Sequence, residues 1–256
     1  MKILASADFS NVRAKINEAG RQGQFAAVVA LNKTAKIIKE DLRSEMRRVF
    51  DRPTPYTLNS LRTKSATMAM PAAYVWLKDE AGKGTPADAY LAPQIFGGDR
   101  ARKRMEKALQ SAGLMPARWY AVPAAGAQLN SYGNVKSSQV VQILSQLMVQ
   151  RGGGYQSKRS SSSASKRTVR RQGVTYFSIP ERMGKLRPGI YLKRQFAHGS
   201  AIRPVFLYVP AVRYSQRFDF FGVADRSAER NFPRIFDQEL DKAIKTAFLR
   251  NQGRLF

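Results

Sequence analysis

The sequence predicts an α+β fold: an antiparallel β-sheet packed with a long N-terminal helix and a C-terminal helix, with an inserted basic flexible loop. Three observations predict it. Apolar residues recur at three- and four-residue steps near both ends of the 256-residue chain. Between them lie short runs rich in β-branched and aromatic residues, broken by Gly and Pro. The stretch RGGGYQSKRSSSSASKRTVRR at 151 to 171 has neither period, and it separates two groups of these runs.

Taken in order, residues 1–23 read as an N-terminal arm. From Gln24 to Phe50, the residues Phe25, Val28, Leu31, Ala35, Ile38, Leu42, Met46 and Val49 describe one face of an amphipathic helix, which Asp51, Pro53 and Pro55 stop. Its other face carries Lys33, Lys36, Lys39, Arg43, Arg47 and Arg48 among Glu40, Asp41 and Glu45, the pattern of a solvated face with ion pairs one turn apart. Leu61 to Met70 and Ala73 to Lys78 alternate as two strands, and Gly82, Gly84, Thr85 and Pro86 make a loop. Ala101 to Ala112 reads as a short basic helix with Met105 and Leu109 inward, Asp99 as its N-cap and Gly113 as its end.

Trp119 to Val122 has the composition of a strand. A helix capped by Ser137 or Ser138 runs to Val149, with Val140, Val141, Leu144, Leu147 and Met148 inward. Strands are expected at Val174 to Ile179, Ile190 to Arg194 and Val205 to Val209, and a final helix from Ser227 to Arg250 presents Phe232, Ile235, Phe236, Leu240, Ile244, Ala247 and Phe248 on one side. Met68, Met70, Phe218, Phe220 and Phe221 are expected in the core. The resulting organisation is a single α+β domain: a first half at 24–150, the basic Ser/Gly-rich loop at 151–172, and the C-terminal strands and terminal helix at 173–256.

Composition narrows the chemistry. A formal charge of +26, from 44 basic and 18 acidic residues, implies a polyanion or an acidic surface close by. The absence of cysteine excludes disulfides, thiolate metal sites and a cysteine nucleophile. MKILASADFS lacks the apolar stretch of a signal peptide, and no run approaches the length of a membrane span, so a chain used without export or membrane insertion is expected.

No recognisable catalytic constellation emerges. His198 is the single histidine and no GxSxG elbow accompanies it. Asp79, Glu80 and Asp88 match no calcium-loop spacing; an acidic-residue nuclease built on them is the least implausible enzyme, and loss of cleavage in Asp88→Ala would be its signature. Gly97-Gly98 and Gly152-Gly153-Gly154 lack phosphate-loop spacing. The expectation is therefore not an enzyme, with no catalytic, metal or cofactor-binding residue and no cofactor.

Two sets of contact residues stand out. Arg151, Lys158, Arg159, Lys166, Arg167, Arg170 and Arg171 lie in a segment with no acidic residue, too polar to fold alone, that meets either DNA phosphates or a partner protein. Tyr56 follows the stiff Pro53-Thr54-Pro55 turn, where it either anchors a neighbouring subunit or packs under its own helix. Arg100, Arg102 and Arg104 crowd a helix start, at the unfavourable end of the helix dipole, which an acidic partner or an N-cap at Asp99 would compensate.

Several blocks in order, ALNKTA at 30 to 35, FDRPTPYTLNSL at 50 to 61, AAYVWLKD at 72 to 79, AYLAPQIFGGDRARKRMEKAL at 89 to 109, GKLRPGIYLK at 184 to 193 and FLYVPAVRYSQRFDF at 206 to 220, resemble tailed-bacteriophage tail-completion or neck proteins of the minor tail protein Z kind. The resemblance covers most of the chain, which departs from shorter relatives by its Ser/Arg-rich insert. It implies a non-enzymatic virion protein, assembled in the host cytoplasm into a homo-oligomeric ring of six-fold type. Such a ring would join the tail tube to the DNA-filled head. Its partners would be neighbouring neck, tail-terminator or tail-tube proteins, with nonspecific contact to packaged DNA and none to membrane. The alternative is a sequence-nonspecific nucleic-acid-binding protein, for which the charge alone suffices.

Overall fold

A computed structural model describes residue 16 and residues 19–82, 84–147 and 173–252. The fold is α+β, as expected, but in place of a single domain the chain forms two compact units. The first comprises residues up to Gly97 together with Ser215 onward; the second, Gly98–Tyr214, is inserted into it. The division follows the side chains, because each unit has its own apolar cores.

The first unit is built on two long helices, α1 (Gly20–Val49) and a C-terminal helix, Phe220–Gln252. They run antiparallel, since Lys33 Nζ meets Glu239 Oε1 at 2.9 Å while Asp41, further along, accepts from Ser227 Oγ at 2.6 Å. In its first half α1 buries Ala26, Ala27 and Ala30, against Phe232, Ile235 and Phe236; the expected Phe25 is 54% exposed. Small residues win that face because the partner helix supplies the bulk, and two large rows would hold the helices apart. In its second half the expected residues Leu42 and Met46 are fully buried.

Thr54 caps the short helix α2 (Pro55–Leu58), accepting from Thr57 N at 3.2 Å. The hairpin β1 (Leu61–Lys64) and β2 (Tyr74–Leu77) pairs Leu61 with Leu77 and Thr63 with Val75, and lays Leu61, Val75 and Leu77 on Leu42 and Met46. The first strand ends six residues earlier than expected, and Met68 and Met70 are about half exposed rather than core. The cause is local: Asn32 clamps Ala66 by both backbone groups, at 3.0 and 2.7 Å, and Thr67 and Met70 close a turn on each other. Helix α3 (Ala87–Phe96) occupies a stretch to which the sequence pattern assigned no element; Pro93 within it hides the pattern, yet Ala87, Leu91 and Ile95 form a buried stripe. Its Gln94 carbonyl accepts from Arg217 N and Phe218 N, which seats Phe218 and Phe220, both fully buried as expected.

The terminal helix begins seven residues before the expected Ser227, because Asp219 caps it, Oδ1 accepting from Gly222 N at 3.0 Å. Phe232, Ile235 and Phe236 are buried as expected, whereas Ile244 and Phe248 are exposed.

The second unit is closed at its ends by a two-residue pairing of β3 (Gly98–Asp99) with a later strand, Arg213–Tyr214. Between them lie α4 (Arg104–Ser111), β4 (Tyr120–Pro123), α5 (Ser137–Gln146), β5 (Val174–Ile179), β6 (Gly189–Phe196) and β7 (Gly199–Val209); the closing strand is β8 and the terminal helix α6. The main sheet is antiparallel in the order β4-β7-β6-β5. Met105 and Leu109 of α4 are buried as expected. Helix α5 is rotated from its expected face: Gln139, Ile143 and Leu144 are buried and Val141 is not, because Gln139 bonds inward to the backbone of Gly126 and Gln128.

Gly189 marks the tightest approach in this sheet. A Cβ there would stand 2.3 Å from the Phe206 carbonyl oxygen and 3.2 Å from Leu207 Cα, so only glycine fits without parting β6 from β7. Gly189→Ala is expected to cost about 3 kcal/mol, at the upper end for overpacking. The urea midpoint followed by Trp119 fluorescence reads it; an unchanged midpoint would show that the strands yield.

Candidate functional site

Of the contact residues expected from sequence, Arg151, Lys158, Arg159, Lys166, Arg167, Arg170 and Arg171 lie outside the described residues. Tyr56 belongs to the first unit. It does not pack beneath α1: its ring is 45% exposed and tilts against Tyr90 at 6.4 Å, while Tyr90 donates to Thr57 Oγ1 at 3.0 Å. That pairing fixes one face of Tyr56 and leaves the other to solvent.

The three arginines belong to the second unit and divide into two kinds. Arg102 and Arg104 are exposed where α4 begins. Arg100 is committed to the interior of its own unit. Its guanidinium lies 5.0 Å from the Tyr120 ring centroid and donates to both oxygens of Glu106, at 2.9 and 2.5 Å. Glu106 is fully buried and also accepts from Lys103 N at 2.6 Å and Ala121 N at 2.8 Å. Burial opposes ionisation of this carboxyl, but the hydrogen bonds from Arg100, Ala121 and Lys103 outweigh it and hold its pKa below the ordinary carboxylate value.

This network also resolves the crowded helix start. The anion that offsets the arginines is Glu106, in the first turn of α4, and not Asp99, which sits in β3. Arg100 is thus a structural residue of its own unit, and Arg102 and Arg104 remain as surface cations.

The strongest candidate surface is one that sequence reading passed over. Strands β6 and β7 run on past β4 as a ribbon, pairing Lys193 with Ile202, Arg194 with Ala201, Gln195 with Ser200 and Phe196 with Gly199, around a two-residue turn at Ala197-His198; β5 still flanks β6 as far as Arg194, so only the tip from Gln195 to Ser200 lies beyond both neighbouring strands. On one flank the pairing with β5 ends at Val174, with one further bond from Gln195 N to Gly173 O at 2.9 Å. On the other, pairing with β4 ends at Phe206, followed by bonds from Ala124 N and Gly126 N to Val205 O and Pro204 O. Burial stops before the β5 ladder does: Ile190, Tyr191, Val205 and Phe206 are core, whereas Lys193 to Ser200, Ile202 and Arg203 are exposed.

The surface so formed is cationic. Between Glu181 and the end of the second unit at Tyr214 the chain carries Arg182, Lys185, Arg187, Lys193, Arg194, Arg203 and Arg213 and no carboxylate side chain. The signal was present in the sequence as that acid-free run, and as KRQF and SAIR, where polar and apolar residues mix on both faces of a strand. His198 sits in the ribbon's turn. Among the described residues no three acidic or histidine side chains gather as a metal site would need, and Asp88 is buried in the first turn of α3. No protein-family model, no curated protein and no solved structure matches this chain.

Proposed function

We propose that this chain is a structural virion protein of a tailed bacteriophage, the subunit of a homo-oligomeric, six-fold ring that finishes the tail tube and joins it to the DNA-filled head. Its role lies in its surfaces and not in catalysis. The observation that supports it most is the acid-free, doubly exposed ribbon on a chain of +26, since such a surface repels its own copies unless a polyanion or acidic neighbours stand beside it. A ring of six would carry about 156 formal charges and would be comfortable around packaged DNA. Half-exposed Tyr56 and the rigid Met68–Met70 turn suit contacts with neck, tail-terminator or tail-tube proteins, as amphipathic rings and methionines do at interfaces. Among the described residues no helix is long and apolar enough to cross a membrane.

Electron-microscopic reconstruction of complete phage particles tests the proposal. A ring at the neck with side-chain density matching Trp76, Trp119 and the aromatic run Phe218 to Phe221 is the expected result. Complete particles without a copy of the chain would overturn it. They would favour the second reading, a sequence-nonspecific nucleic-acid-binding protein acting free in solution, which the same ribbon supports.

A further inference from the structure

We infer that the β6–β7 ribbon, from Leu192 to Arg203, is a DNA-gripping arm that enters a groove of duplex DNA and holds its phosphates through Lys193, Arg194 and Arg203. The inference rests on the proposed role only for the source of the DNA, the packaged genome; the ribbon's own geometry carries the rest.

Little of the second unit's core lies in the arm. The buried residues of β6 end at Tyr191 and those of β7 begin at Val205, and Leu192, at the arm's base, packs against that core while Lys193 to Ser200 add exposed surface. Among the described residues the outer edge of β7 has no strand beside it from Gly199 to Arg203, and an open edge invites aggregation. A segment of this kind makes physical sense when a partner covers it. The partner's chemistry follows from the charge. Lys193, Arg194 and Arg203 are exposed, and among the described residues none has an ion-pair partner.

Register places the cations on both faces. Arg194 lies beside the Leu192–Arg203 pair, so the two arginines share one face, while Lys193, opposite Ile202, points to the other. The Arg194 guanidinium lies 5.9 Å from the Phe196 ring centroid, a contact that steadies it without neutralising it. From the Lys193–Ile202 pair to the turn the arm is about 17 Å long. The two-stranded tip, Gln195 to Ser200, fits the major groove of B-form DNA, and the cations on the two faces at its base then reach the phosphates of the strands that wall the groove. An acidic protein surface offers no such pair of anionic walls, and this favours duplex DNA as occupant. Phosphate contacts of this kind carry no base specificity and suit DNA that must slide past.

The test uses the full chain and a short fluorescein-labelled duplex of mixed sequence, followed by anisotropy across a salt series. Lys193→Gln/Arg194→Gln/Arg203→Gln is compared with Lys36→Gln/Arg47→Gln/Arg62→Gln, which removes the same charge from exposed cations of the first unit. Thermal melting of both variants confirms folding. The arm variant is expected to lose about a hundredfold in affinity near physiological salt and to flatten the log–log salt slope by roughly 2.7, while the control loses only a few-fold. Equal losses in the two variants would overturn the inference, and so would polyglutamate of matched charge competing as well as unlabelled duplex. Arm-dependent binding by a chain missing from complete particles would sink the neck role and leave the arm intact. A ring found at the neck whose arm variant binds DNA like the control would do the reverse.

Discussion

A Glu106→Ala variant is expected to lose about 3–5 kcal/mol, the cost typical of breaking a buried ion pair by removing one partner. Glu106 is fully buried, and its loss strands the Arg100 guanidinium, only 13% exposed, together with the N–H groups of Lys103 and Ala121. The bond to Ala121 N joins the start of α4 to β4, so the damage falls on the packing of Met105 and Leu109 against the sheet. Urea unfolding followed by Trp119 fluorescence, in a Trp76→Phe background, measures it. Glu106→Gln keeps the shape and gives up the charge, and is expected to lose about 1.5–3 kcal/mol, the scale of a charge-assisted hydrogen bond.

The same carboxylate sets a pH dependence. Its pKa in the folded chain lies below that of the unfolded chain, so its stabilisation is fully present above the unfolded value, about 4.3, and is lost as pH falls through the folded value. The parent chain should therefore lose stability on acidification across that window more steeply than Glu106→Gln. Parallel curves for the two would show that folding leaves the Glu106 pKa where it is in the unfolded chain.

Phe236→Ala is expected to be as damaging to the first unit, costing about 3–5 kcal/mol. The ring is fully buried, stacks on Phe232 at 6.1 Å, and faces Ala26, Ala27 and Ala30. Alanines cannot reach across the void, so the cavity stays open. Adding Ala30→Leu to Phe236→Ala returns volume from the other helix and should recover part of the loss, which distinguishes a packing defect from general weakening. The urea midpoint reported by Trp76, in a Trp119→Phe background, is the measurement. A single variant within experimental error of the parent would mean that α1 and α6 do not pack as described.

Local sequence determined most of the elements. Leu42 and Met46 inside α1, Met105 and Leu109 inside α4, strand structure at 174 to 179, 190 to 194 and 205 to 209, and the helix stopped at Gly113 follow from periodicity and turn chemistry, which act over a few residues and are legible there. The charge of +26 is likewise a property of the sequence alone. Tertiary structure decided the rest, because burial depends on what a distant segment brings. The alanine face of α1 is core only because α6 supplies Phe232 and Phe236, and Met68 and Met70 are exposed because Asn32, far back in the chain, pins Ala66. Arg100 looked like a free surface cation until the chain folded Glu106 beneath it. The basic arm escaped notice for a related reason: its strands have ordinary composition, and only their pairing past β4, with side chains exposed on both faces, shows that neither face is covered.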